Sequence, residues 1–141
     1  EVSISGAALF LLRTLVWSHT QEDPVTDGNN LFPCCAPEVF PSEDARFRVM
    51  SQGCPAGIDV EVRSEGGGVT IRSLDGRQAR VSRHVWRDAV LRCADAVRVF
   101  YDQEPPRFEP DDEFWHRCWS AFGRVWDDLR GTERGCPWQR E

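Results

Sequence analysis

The residues able to do chemistry fall into three groups. Cysteine is the first. Cys34 and Cys35 are adjacent in a proline-rich stretch, Cys54 lies in a Gly-Cys-Pro turn, and Cys93, Cys118 and Cys136 follow. Three thiolates with one histidine make a tetrahedral zinc site. Cys34, Cys35 and Cys54 flank the strand-like segment 46–50 and are the trio a fold would bring together. Adjacent cysteines are awkward joint ligands, however, and the chain has no Cys-x-x-Cys pair. Thiols packed under the prolines are the preferred reading; zinc and a disulfide are the alternatives. No metal or cofactor is expected.

Histidine is the second group, and His19, His84 and His116 are scattered. No Walker A, dinucleotide-binding, nucleophile-elbow or His-Glu-x-x-His pattern occurs. Gly66-Gly67-Gly68 would cradle a phosphate if it opened a helix, but it joins two strand-like segments and therefore reads as a hairpin turn. With no catalytic residues to assign, the chain reads as a non-enzyme.

The third group is acidic. Residues 102–113 carry six acids, Asp102, Glu104, Glu109, Asp111, Asp112 and Glu113, against Arg107 alone. Three prolines stiffen the segment and Phe108 sits near its centre. A stiff acidic loop with one aromatic anchor is suited to a basic cleft on another protein. The alternative is a solvated loop whose last acids favour the positive N-terminal end of a helix. All seventeen basic residues of the chain are arginines. Arg46, Arg48, Arg63, Arg72 and Arg80 would share the wet face of a sheet with Asp59 and Glu61, so cross-strand ion pairs are expected there. No aromatic interleaves them to stack on bases, and the net charge is −6. Neither nucleic acid nor membrane is an expected partner.

The elements that must position these residues are legible from periodicity. Residues 6–17 are apolar nearly all round, interrupted by Arg13. They lack the basic leader of a signal peptide and are too short to span a bilayer. They read as a buried helix over about 6–19, capped by Ser3 or Ser5. Residue 1 is Glu, so the natural start is expected upstream. Segments 46–50, 58–63, 69–73 and 78–82 alternate with period two, and Asp75-Gly76 marks a hairpin. Two amphipathic helices follow. Trp86, Val90, Cys93, Val97 and Phe100 form the stripe of the first; Trp115, Cys118, Phe122, Val125 and Leu129 form that of the second, which Gly131 ends. The expected fold is a single α+β domain over residues 1–131 with a tail at 132–141. It is an antiparallel meander of three to four strands with helices packed on one face. Both helix stripes should be buried against Ile58, Val60, Val69 and Ile71.

In style the chain resembles bacterial immunity proteins encoded beside toxins. The resemblance rests on Leu31-Phe-Pro-Cys-Cys35, Gly57-Ile-Asp-Val-Glu-Val62, Asp75-Gly76, Ala94-Asp-Ala-Val-Arg-Val-Phe-Tyr101 and a Trp-rich last helix, over residues 8–131. It implies a cytoplasmic inhibitor that occludes the active site of one cognate toxin without catalysis. The partner-binding residues would be Asp102, Glu104, Phe108, Glu109, Asp111, Asp112 and Glu113, the acids imitating an anionic substrate. A small enzyme or zinc-dependent regulator using Cys34, Cys35 and Cys54 is the alternative. The lack of lysine, with much Ala, Gly and Val, agrees with a G+C-rich bacterial genome.

Overall fold

The computed structural model describes residues 3–26, 30–36, 38–39, 49–50, 55–103 and 113–132. Helix α1 (Ile4–Arg13) is capped by Ser3, whose hydroxyl accepts from the Gly6 N–H at 3.3 Å. From Ser5 to Arg13 every residue is buried, as an all-round apolar helix requires. It ends six residues earlier than its composition predicts. At Leu15 and Val16 the N–H groups tighten onto the carbonyls three residues back, at 3.1 and 3.0 Å, and the chain turns out of the helix. His19 is then free to exchange both backbone hydrogen bonds with Val62, each 2.8 Å.

The meander is present with three strands, β3 (Val60–Glu65), β4 (Gly68–Ser73) and β5 (Gln78–Ser82), in antiparallel order β3-β4-β5. Gly66 and Gly67, at φ +50° and +78°, make the tight β3–β4 turn, the conformation glycine adopts without strain. At the β4–β5 turn only one of the two expected positions is a glycine, Gly76 at φ +85°. Its N–H bonds Ser73 O, and Ser73 N–H bonds Arg77 O, both at 2.9 Å. The Ser73 hydroxyl, and then the Arg77 N–H, hold the Asp75 carboxyl below its ordinary range. The expected first strand does not join this sheet. Its described part, β2 (Val49–Met50), pairs with β1 (Glu38–Val39) in a separate two-stranded ladder.

Helix α2 (Arg83–Gln103) opens where Ser82 Oγ accepts from Val85 N–H at 3.2 Å. Helix α3 (Glu113–Thr132) returns antiparallel to it, and both pack on α1. Ion pairs lace the two together: Arg98 to Asp127 at 3.2 Å, and Arg130 to Asp95 through two bonds of 3.0 and 2.8 Å. The core joins Leu9, Phe10 and Leu12 of α1 to Val62, Val69, Val90, Ala94, Phe122, Val125, Trp126 and Leu129. Trp86 fastens α2 to the end of α1 by donating to Thr14 Oγ1 at 3.1 Å.

Several sequence expectations are corrected here. The inner face of α2 runs Trp86, Val90, Ala94, Val97, Tyr101, whereas Cys93 and Phe100 are exposed. Each lies one residue, and so about 100°, before the inward position. At about 100° per residue Trp86, Val90, Ala94, Val97 and Tyr101 span an arc of about 80°, and Cys93 and Phe100 fall about 60° and 80° from its middle. Ile58 is 59% exposed, and Trp86, Val97, Val60 and Ile71 are only partly buried. The Trp115 and Cys118 side chains lie outside the described residues. Phe100→Ala is therefore expected to cost less than about 1 kcal/mol in urea unfolding. Phe10→Ala, at a position with no exposed surface, should cost about 3–5 kcal/mol. Equal losses would contradict this assignment of inside and outside.

Candidate functional site

Asp59 and Glu61 were expected on a wet sheet face, and both are buried. The cover is the stretch after α1. Ser18 Oγ accepts from the Ser64 N–H at 3.1 Å, Glu22 reaches Arg63 at 3.3 Å, and Phe32 exchanges two 2.9 Å backbone bonds with Ile58. The sequence shows only irregular punctuation there, because single-residue bridges leave no period to read.

A polar network is enclosed beneath this cover. Asp59 Oδ1 accepts from His19 Nε2 at 2.8 Å and from the Leu31 N–H at 3.2 Å. His19 Nδ1 accepts from the Val25 N–H at 3.0 Å. A ring nitrogen that accepts carries no proton, so His19 bears its hydrogen on Nε2 and donates it to Asp59. A His–carboxylate pair is a familiar catalytic arrangement, but here His19 has no exposed surface and both ring nitrogens are engaged within the fold. The pair is structural. Asn30 is buried in the same stretch and packs on Gly57, where a side chain would come within 2.8 Å of the Asn30 side chain and Phe32 O.

Arg13, also fully buried, performs the same service on the other side. Its guanidinium donates to Val25 O at 2.8 Å and to Val49 O, and lies 4.9 Å from the centroid of the Phe10 ring. Among the described residues Glu61 is the remaining buried charge. Arg72 Nη2 stands 2.8 Å from its Oε2 and Arg63 Nη2 3.5 Å from Oε1. The Arg72 contact is ionic, because Oε2 lacks hydrogen-bond geometry. The cross-strand pairing expected of the sheet arginines is thus realised at Arg72, opposite Glu61, whereas Arg63 pairs along its own strand with Glu61 and with Glu22 of the cover. Arg80 instead lies over Gly68 and donates to Glu65 O at 3.0 Å. Arg46 and Arg48 fall outside the described residues.

Two features face outward with functional character. The first is the far end of the α2–α3 hairpin, where an open groove of about 120 Å³ is lined by Val97, Arg98, Tyr101, Asp102, Phe122, Gly123 and Trp126. On the same turn of α2, outside the groove lining, Val99 and Phe100 are 52% and 47% exposed, with the Phe100 ring 5.2 Å from that of Tyr101. Of the acidic-segment residues, Asp102 is exposed on the last turn of α2 and rims this groove. Glu113 begins α3, its side chain outside the described residues, as are Glu104, Phe108, Glu109, Asp111 and Asp112 entirely. The second feature is the cysteine pair. Cys34 and Cys35 are half-buried with their Sγ atoms 3.3 Å apart, while Cys54 lies outside the described residues. Among the described residues no group of three His, Cys, Asp or Glu side chains is placed to hold a metal. No helix among them is long and apolar enough to cross a membrane.

The sequence signals missed were those of Val99, Phe100 and Tyr101. Phe100 reads as the last residue of the core stripe and Val99 lies outside that stripe; the phase of the helix turns both outward and Tyr101 inward. No family model, no curated protein and no solved structure matches this chain.

The His19–Asp59 network makes a sharp stability prediction. Asp59→Ala strands two buried donors, His19 Nε2–H and Leu31 N–H, and should cost about 3–5 kcal/mol in urea unfolding. Asp59→Asn keeps an acceptor oxygen for both and should cost about 1 kcal/mol. Similar losses for the two variants would mean the network does not hold the cover.

Proposed function

We propose that this chain is a non-catalytic protein-binding module of the immunity type, which occludes a cognate bacterial toxin in the cytoplasm. The observation that carries the reading is the end of α2: it exposes Val99 and Phe100, and its other side walls an aromatic-floored groove with Asp102 on the rim. Apolar anchors ringed by charge are how protein interfaces divide their labour: the anchors supply most of the affinity and the charges guide approach. Asp102 also opens the acidic run of residues 102–113, which has a net charge of −5. That run extends from the very end of the helix carrying the exposed apolar pair, so the matching partner presents a basic cleft with an apolar floor. Nucleases and other enzymes acting on anionic substrates have such clefts, and occluding one silences the enzyme without chemistry by the inhibitor.

The test uses the protein encoded beside this gene as the partner. Asp102→Arg should slow association several-fold at low salt, and the effect should fade toward 1 M salt, where the screening length is about 3 Å. Phe100→Ala should leave association nearly unchanged and hasten dissociation at least tenfold, as loss of an interface anchor does. Because both side chains are exposed, neither variant should unfold the protein. Unaltered rate constants in both variants would remove this surface from the interface, and lack of any complex would remove the immunity reading.

A further inference from the structure

The cysteine pair is independent of the α2–α3 surface and has chemistry of its own. The Phe32–Ile58 bridge and a 2.7 Å bond from Ser3 N–H to Pro33 O fix the backbone immediately before Cys34. The second of these bonds ties the pair to the capping residue of α1. Both thiols remain half-buried, within reach of small solutes, and their sulfurs are 3.3 Å apart. We propose that Cys34 and Cys35 are a reversible redox modification site, oxidised to a vicinal disulfide by a small-molecule disulfide of the glutathione class.

The exchange balances without another reactant. One thiolate attacks the small disulfide, forming a mixed disulfide and releasing one equivalent of small thiolate. The neighbouring thiolate then attacks the protein sulfur of that mixed disulfide and expels the second equivalent. The protein loses two electrons and two protons overall, and the small disulfide becomes two thiols. Proximity makes the second step intramolecular and fast. It also makes the product labile. Cα atoms joined by a disulfide ordinarily stand about 4.4–6.8 Å apart, whereas neighbours in sequence across a trans peptide are about 3.8 Å apart. Closing the ring therefore strains the backbone, and strained disulfides are the readily reduced, regulatory kind. The strain falls directly beside the Pro33 carbonyl that holds Ser3.

The test is incubation of the full chain in glutathione buffers, from fully reduced to fully oxidised, followed by acid quenching, alkylation and peptide mapping. The expected product has lost two hydrogen atoms within the peptide holding Cys34 and Cys35, and it reverts when reduced glutathione is in excess. Cys34→Ser and Cys35→Ser should each abolish the loss and accumulate a glutathione adduct on the remaining thiol. Cys93, an exposed thiol on α2, should form only the adduct and serves as an internal control. A cross-link mapped to Cys54 or between two chains, a stable adduct in the native protein, or no oxidation at all would each overturn the proposal.

Discussion

One carboxylate oxygen organises the described stretch that follows α1. Asp59 Oδ1 receives the His19 ring and the Leu31 N–H, and through the other nitrogen of that ring it also fixes Val25. Three points after α1, His19, Val25 and Leu31, are thereby tied to the start of β3. Arg13 reinforces the arrangement from α1 by capturing the carbonyls of Val25 and Val49. Buried polar groups are costly unless each is satisfied. The arrangement is therefore close to all-or-none: the cover lies down with its bonds made, or the charges of Asp59 and Arg13 stay in water and the cover does not form.

The consequence for function is a matter of which surface is left open. One face of β3–β4–β5 is closed by helices, and the start of the other face is closed by the cover. What remains of that second face is polar and internally paired, with Glu61 held between Arg63 and Arg72. The α2–α3 hairpin is different. Its ion pairs at Arg98–Asp127 and Asp95–Arg130 fix the helices side by side; the helices keep an open groove rimmed by Asp102, and the same helix turn exposes Val99 and Phe100 outside that groove. Apolar side chains of this size, gathered on a rigid helix rather than scattered, fit an interface better than a solvated surface.

Local signals made much of the fold readable. The glycine turns, the alternation at 58–63, 69–73 and 78–82, and the all-apolar first helix each act within a few residues; the strands form at Val60–Glu65, Gly68–Ser73 and Gln78–Ser82, and Ser82 caps α2. What escaped was long-range. The burial of Asp59 and Glu61 depends on a partner about forty residues earlier, and no alternating pattern distinguishes a strand face turned to water from one turned to a polar cover. The phase of α2 escaped for another reason. At about 100° per residue the apolar stripe and the buried arc share Trp86, Val90 and Val97, and their middles differ enough to exchange Cys93 for Ala94 and Phe100 for Tyr101. The error concealed the exposed apolar pair on which the functional reading now rests. Arg13, which reads as an interruption of an apolar run, is instead a side chain the run needs.

Native-state hydrogen exchange, followed residue by residue, tests the organising role of Asp59 most directly. The account predicts that the amides of Val25 and Leu31, which lie outside the helices and the meander, exchange as slowly as that of Val62, because they open only when the sheet itself opens. Exchange of Val25 and Leu31 at the rates of an exposed loop, with Val62 still protected, would contradict it.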